Sequence, residues 1–109
     1  MNLGASPPTD SVRRYDPGME SVVLYRMREG VDRAQVMAAY PRHKAYYQQF
    51  EADGGGLLAL GPFPPNPVAG SMGLFTNRAE AERFVASDPF VTEGLAEPHV
   101  LDWDPVRFG

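Results

Sequence analysis

From residue 19 onward the apolar positions fall into short extended runs separated by two stretches of helical spacing. Val22-Val23-Leu24-Tyr25-Arg26-Met27-Arg28 is rich in strand formers, with Val23, Tyr25 and Met27 on one face and Val22 and Leu24 on the other. A strand that is apolar on both faces is covered on both faces. Gly30 then turns the chain, and Asp32 followed three residues later by Gln35 predicts a capping box, with Val31 and Val36 as its hydrophobic staple. Beyond it, Val36, Tyr40, His43, Tyr47 and Phe50 recur at spacings of four, three, four and three, which is one face of a helix. Pro41 lies inside that pattern. Proline removes a ladder hydrogen bond and disfavours helical geometry at the residue before it, which predicts a kink or a new helix from Pro41, with His43 in the first turn of the second segment. Asp53-Gly54-Gly55-Gly56 closes the helix with residues that tolerate left-handed geometry.

Leu57-Leu58-Ala59-Leu60 reads as a second strand. The proline-rich Gly61-Pro62-Phe63-Pro64-Pro65-Asn66-Pro67 reads as a stiff loop, because proline donates no ladder hydrogen bond and cannot lie in a central strand. Ser71 to Thr76 resumes as a third strand, with Gly73 marking a close approach by a backbone or a ligand. Asn77 with Glu80 caps a second helix whose buried stripe is Ala81, Phe84 and Val85. Ser87-Asp88-Pro89 breaks that helix and starts another turn, which Gly94 stops. Between Pro98 and Phe108, His99, Leu101 and Trp103 alternate with Val100 and Asp102, predicting a last strand.

The order β-α-β-β-α-β matches the split βαβ, or ferredoxin-like, arrangement: an α+β fold with one antiparallel sheet and both helices on one face. The other sheet face would be bare in a monomer, so the two apolar faces of the first strand predict a homodimer joined through its sheets. Residues 1–18, with three prolines and two glycines and ending in Tyr15-Asp16-Pro17-Gly18, read as a flexible N-terminal arm, which leaves residues 19–109 as the domain.

Composition narrows the chemistry. A chain of 109 residues suits one domain with a modest core. A net charge of -4 and a pI near 5.0, with scattered basic residues, offer no footprint for nucleic acid. The absence of cysteine removes disulfides, thiolate ligands and a cysteine nucleophile. No signal peptide and no membrane-spanning run is legible, so the chain reads as cytoplasmic. Two separated histidines without HExxH spacing make a weak case for a metal, and Gly54-Gly55-Gly56 precedes a strand, the wrong context for a phosphate loop. Nothing in this inventory calls for a cofactor.

Asp88 carries two readings. As the residue before Pro89 it can cap the short turn, accepting backbone N–H groups. It can also face a histidine from elsewhere in the chain, and His43 is the one well placed for it. Tyr47, one turn beyond His43, and Phe90, beside Asp88, either wall a pocket or pack in the core. His99 reads as a packed or edge residue, Glu80 and Glu82 as a cap and a solvated face, and Asp102 and Asp104 as edge protection around Trp103. Arg26 and Arg28 suit rim salt bridges or an acidic ligand.

His43, Leu60-Gly61-Pro62-Phe63, Gly70-Ser71-Met72-Gly73, the helix from Ala79 to Ala86, Ser87-Asp88-Pro89-Phe90 with Gly94-Leu95, and Trp103, in this order and spacing, resemble the YCII-related (YciI-like) family. The similarity spans about Met19 to Phe108, and Asp-Pro-Phe followed by Gly-Leu is its most specific element. The resemblance implies a dimeric α/β barrel related in fold to muconolactone isomerase, with His43 and Asp88 as a catalytic pair. The chain departs from the family where many members carry an arginine three residues before the histidine: here that residue is Tyr40, and the nearest candidate for anion binding is Arg42.

A carboxylate beside an imidazole fixes its tautomer and favours its protonated form, the basis of general acid/base chemistry. The expectation is a small-molecule enzyme, a lyase or isomerase acting on a small organic compound, cyclic ones included. The competing expectation is a non-catalytic binding or accessory dimer in which the His–Asp bond only locks the corner.

Overall fold

Four strands and three α-helices follow one another in the computed structural model, which describes residues 19–65 and 67–108: β1 (Glu20–Met27), α1 (Arg33–Ala52), β2 (Leu57–Pro62), β3 (Ser71–Phe75), α2 (Arg78–Ser87), α3 (Pro89–Thr92) and β4 (Ala96–Trp103). A single 3-10 turn over Pro67–Ala69 precedes β3. The arm expected over residues 1–18 lies outside the described residues. The sheet is antiparallel with order β2-β3-β1-β4, which puts β1 and β3 at its centre. This is the ferredoxin-like α+β fold that the element order predicts.

Register decides what each face does. Val23 of β1 stands opposite Gly73 of β3 and Val100 of β4. On that face Val23, Tyr25, Phe75 and Ala96 pack with Val36, Ala39 and Phe50 of α1, Ala81 and Phe84 of α2, and Phe90 of α3 in one core. Phe50, Phe75 and Phe84 meet edge-on or tilted with centroids 5.0 to 6.3 Å apart, the geometry their ring quadrupoles prefer. One residue over in register, Leu24, Met72, Leu101 and Trp103 are exposed large apolar side chains on the opposite face.

The caps form where local chemistry puts them. Asp32 accepts from the Gln35 N–H and the Gln35 side chain accepts from the Asp32 N–H, both at 2.9 Å. The Asn77 side chain accepts from the Glu80 N–H at 3.0 Å and starts α2. Gly70, at φ +109, turns into β3 where an added Cβ would sit 2.5 Å from the Tyr25 carbonyl oxygen, so both conformation and space restrict this position to glycine.

Three expectations are corrected. No new helix begins at Pro41: α1 runs unbroken through it. The exposed Pro41 removes one bond, to the Met37 carbonyl, while Val36, Ala39, His43 and Phe50 bury the opposite side on both sides of it and keep the helix continuous. β2 extends through Pro62 rather than ending at Leu60, because it is an edge strand and a residue without an N–H is tolerated there. β4 spans Ala96–Trp103 rather than starting at Pro98 and reaching Phe108, and it too is an edge strand containing a proline.

Candidate active site

Two sequence features make the corner at Asp88. Pro89 steers the preceding residue out of helical geometry, and Asp88 accordingly sits at φ -66, ψ 126, ending α2. Pro89 itself fits the first position of α3, where its missing N–H costs nothing. The Asp88 side chain is turned inward and has no exposed surface. Its Oδ1 accepts from the Phe90 N–H at 3.1 Å, which caps α3, and faces His43 Nδ1 at 2.8 Å. Its Oδ2 accepts from the Tyr25 hydroxyl at 2.6 Å. A buried carboxylate is stable only when its oxygens are satisfied, and here β1, α1 and α3 each contribute one partner.

Sequence reasoning missed Tyr25 as a site residue, although a signal existed. A tyrosine on the core face of a central strand buries its ring and must find a partner for its hydroxyl. Burial first, and then the Asp88 charge and hydrogen bond, raise the Tyr25 pKa far above its ordinary value of 10.0, so the hydroxyl stays protonated and remains a donor. The Phe90 N–H and the Tyr25 O–H both donate to Asp88, which makes it the acceptor toward His43 as well. The neutral imidazole then carries its proton on Nδ1, and Nε2 is left free to accept. No described protein group hydrogen-bonds Nε2.

His43 is 4% exposed, projects from the middle of α1, and lines a cavity of about 370 Å³ roofed by α1 and floored by β1 and β3. Phe90 stacks on the imidazole with centroids 4.0 Å apart and planes 8° from parallel. Tyr47 meets it edge-on at 5.2 Å. An imidazolium formed there would lie against the electron-rich face of Phe90. Behind the site the Tyr46 hydroxyl donates to the Phe84 carbonyl at 2.8 Å and ties α1 to the end of α2. Tyr40, Phe63 and Met37 line the cavity yet are partly exposed, so they mark its mouth.

The fold thus brings His43, Asp88, Tyr47 and Phe90 together. Arg42 is elsewhere: its guanidinium makes two bonds of 2.7 Å to the Glu93 carboxylate on the surface and does not line the cavity. That pairing lowers the Glu93 pKa. His99 stands on the open sheet face, 3.9 Å from Glu97, and Asp102 pairs with Arg78 at 3.3 Å. Among the described residues, no three His, Cys, Asp or Glu side chains converge as a metal site, and no helix is long and apolar enough to cross a membrane.

Solved structures share this architecture. TftG, the 5-chloro-2-hydroxyhydroquinone dehydrochlorinase of Burkholderia phenoliruptrix, determined in complex with 2,5-dihydroxybenzoquinone, matches with a TM-score of 0.61 and 22% identity over 77% of this chain and 92% of its own. SnoaB, a cofactor-independent oxygenase of Streptomyces nogalater, matches at 0.50 and 11% over 83% of this chain and 94% of its own. A dimeric protein of unknown function and ferredoxin-like fold from Bacteroides fragilis matches at 0.50 and 14% over 83% and 98%. At such identities the likeness establishes the fold. No family model and no curated protein sequence matches the chain.

Proposed function

We propose that this chain is a YCII-like enzyme that moves a proton on a small cyclic organic molecule, with His43 as general base and acid and Asp88 as its orienting partner. One observation carries the reading: a fully buried carboxylate holds Nδ1 of an imidazole whose remaining edge borders a cavity of small-molecule size. His43 Nε2 takes a proton from the ligand, and the resulting imidazolium is stabilised by Asp88 and by the Phe90 face. Returning that proton to a different atom completes an isomerisation; loss of a leaving group from the carbanion or enolate completes an elimination. The chain's own side chains suffice for either. The dehydrochlorinase that shares the fold was determined with a dihydroxybenzoquinone bound, which supports the same class of ligand here.

The exposed Leu24, Met72, Leu101 and Trp103 support pairing of two copies through their open sheet faces, which would give the dimeric α/β barrel. A cysteine-free chain suits a reducing cytoplasm. The alternative reading, a non-catalytic binding or accessory module, draws on Asp88 being the cap of α3 as well as the partner of His43. A screen of hydroxylated and halogenated ring compounds separates the two. Turnover that is lost in His43→Gln and Asp88→Asn, with the fold retained by circular dichroism, is expected. Turnover unchanged in both variants would remove the catalytic assignment.

A further inference from the structure

The cavity's polar groups are few and directional. Tyr40 and Tyr47, one on each of two helical turns of α1, hydrogen-bond through their hydroxyls at 3.1 Å, and both line the cavity that holds His43. In such a pair one hydroxyl donates to the other, which leaves one O–H proton unused. The Tyr40 hydrogen bond is the largest cause of a raised Tyr47 pKa, so Tyr47 keeps its proton. Between the two tyrosines on the same face of α1, with ring centroids 6.1 and 5.2 Å from theirs, His43 presents Nε2 as an acceptor. No Asp, Glu, Lys or Arg is among the described residues that line the space, and the Arg42 guanidinium is held outside by Glu93. A ligand carboxylate or phosphate entering here would lose its water and meet no opposite charge, a costly exchange. The walls around His43 are aromatic and thioether surfaces such as Phe90 and Met27.

We infer that Tyr40 and Tyr47 are the specificity determinants of this site, and that they select an uncharged planar ring bearing one hydroxyl, donated to His43 Nε2, and a second oxygen, which accepts from the tyrosine pair. The inference rests on the proposed role of His43 as proton acceptor and adds the class of ligand it acts on. Hydroxyquinones, dihydroxyarenes and hydroxyaryl ketones have this pattern. Carboxylated and phosphorylated rings are rejected by the missing countercharge.

Two nearly isosteric probes isolate the charge. Calorimetric titration of the full chain with para-hydroxyacetophenone should give binding about tenfold or more tighter than with para-hydroxybenzoate at neutral pH, and acetophenone, which lacks the donor, should bind more weakly than its hydroxylated relative. Binding should move the His43 Hε1 resonance and leave that of His99 in place. A Tyr40→Phe, Tyr47→Phe double variant should lose affinity for para-hydroxyacetophenone by about three- to tenfold, the worth of a neutral hydrogen bond, while its unfolding transition stays cooperative. Equal or tighter binding of the carboxylate, no effect of the double variant, or no binding by any of the three probes would overturn the inference. Retained selectivity with no turnover of any ring compound would overturn the catalytic reading instead and leave this one standing.

Discussion

Removing one oxygen atom from Tyr25 tests how the carboxylate at the centre of the site is held. In Tyr25→Phe the ring stays in the core between the sheet and α1, while Asp88 Oδ2 loses its only donor among the described residues. Asp88 has no exposed surface, so water cannot take the vacated place without rearrangement. Leaving a buried acceptor unsatisfied costs about 1–3 kcal/mol, toward the upper end for a charged group. For a domain of this size each kcal/mol lowers Tm by about 4–8 °C. The pH dependence gives a second readout. The folded Tyr25 pKa lies far above its ordinary value of 10.0. Below about pH 10 folded and unfolded chains both keep this proton, and the bond's full contribution is present. Above it the unfolded chain releases the proton and the folded chain does not, so stability falls as pH rises. Guanidinium unfolding near neutral pH and again above about pH 10 should show a smaller alkaline loss in Tyr25→Phe than in the parent. Equal midpoints for the two proteins near neutral pH, together with parallel alkaline losses, would refute the reasoning. Those results would mean that Asp88 does not depend on Tyr25.

Two further outcomes are expected. Arg42→Ala should leave KM and kcat for neutral ring substrates unchanged, since the guanidinium is engaged by Glu93 outside the cavity; a KM that rises in steady-state assays would return Arg42 to the ligand. If two copies pair through their open sheet faces as proposed, Leu101→Asp should lower the sedimentation coefficient to that of a single chain without unfolding it, because Leu101 is 49% exposed in the single chain; a coefficient equal to the parent's would count against that pairing.

What could be read from the residues alone was what is decided locally. Asp32 with Gln35 and Asn77 with Glu80 are short-range hydrogen bonds, and their helices start where those residues stand. The corner at Ser87-Asp88-Pro89 is equally local. Prolines depart from their local reading where tertiary position governs: Pro62 lies in a strand because β2 happens to be an edge, and Pro41 starts no new helix because buried neighbours hold α1 on both sides of it. Edge or centre is a property of the whole sheet, which no window of the sequence contains. The meeting of His43 with Asp88, 45 positions apart, follows from the topology; the inward face of the helix makes His43 the candidate, and the family resemblance points to the same pair. Tyr25 escaped notice because its alternation with Val23 and Met27 already accounted for it as a core residue.

The Asp88 carboxylate is the point where folding and chemistry share the same atoms, which governs how any variant here should be interpreted. Its three partners come from a strand, a helix and the turn it caps, so replacing it disturbs the packing of all three as well as the imidazole. Lost activity in Asp88→Asn alone is therefore ambiguous between chemistry and structure. His43→Gln separates them better. A glutamine amide can still donate an N–H toward Asp88 and present its oxygen to the cavity, but it cannot accept and return a proton near neutral pH. If stability survives this change while turnover disappears, the imidazole is needed for its acid/base behaviour; if both survive, the corner is held for the sake of the fold.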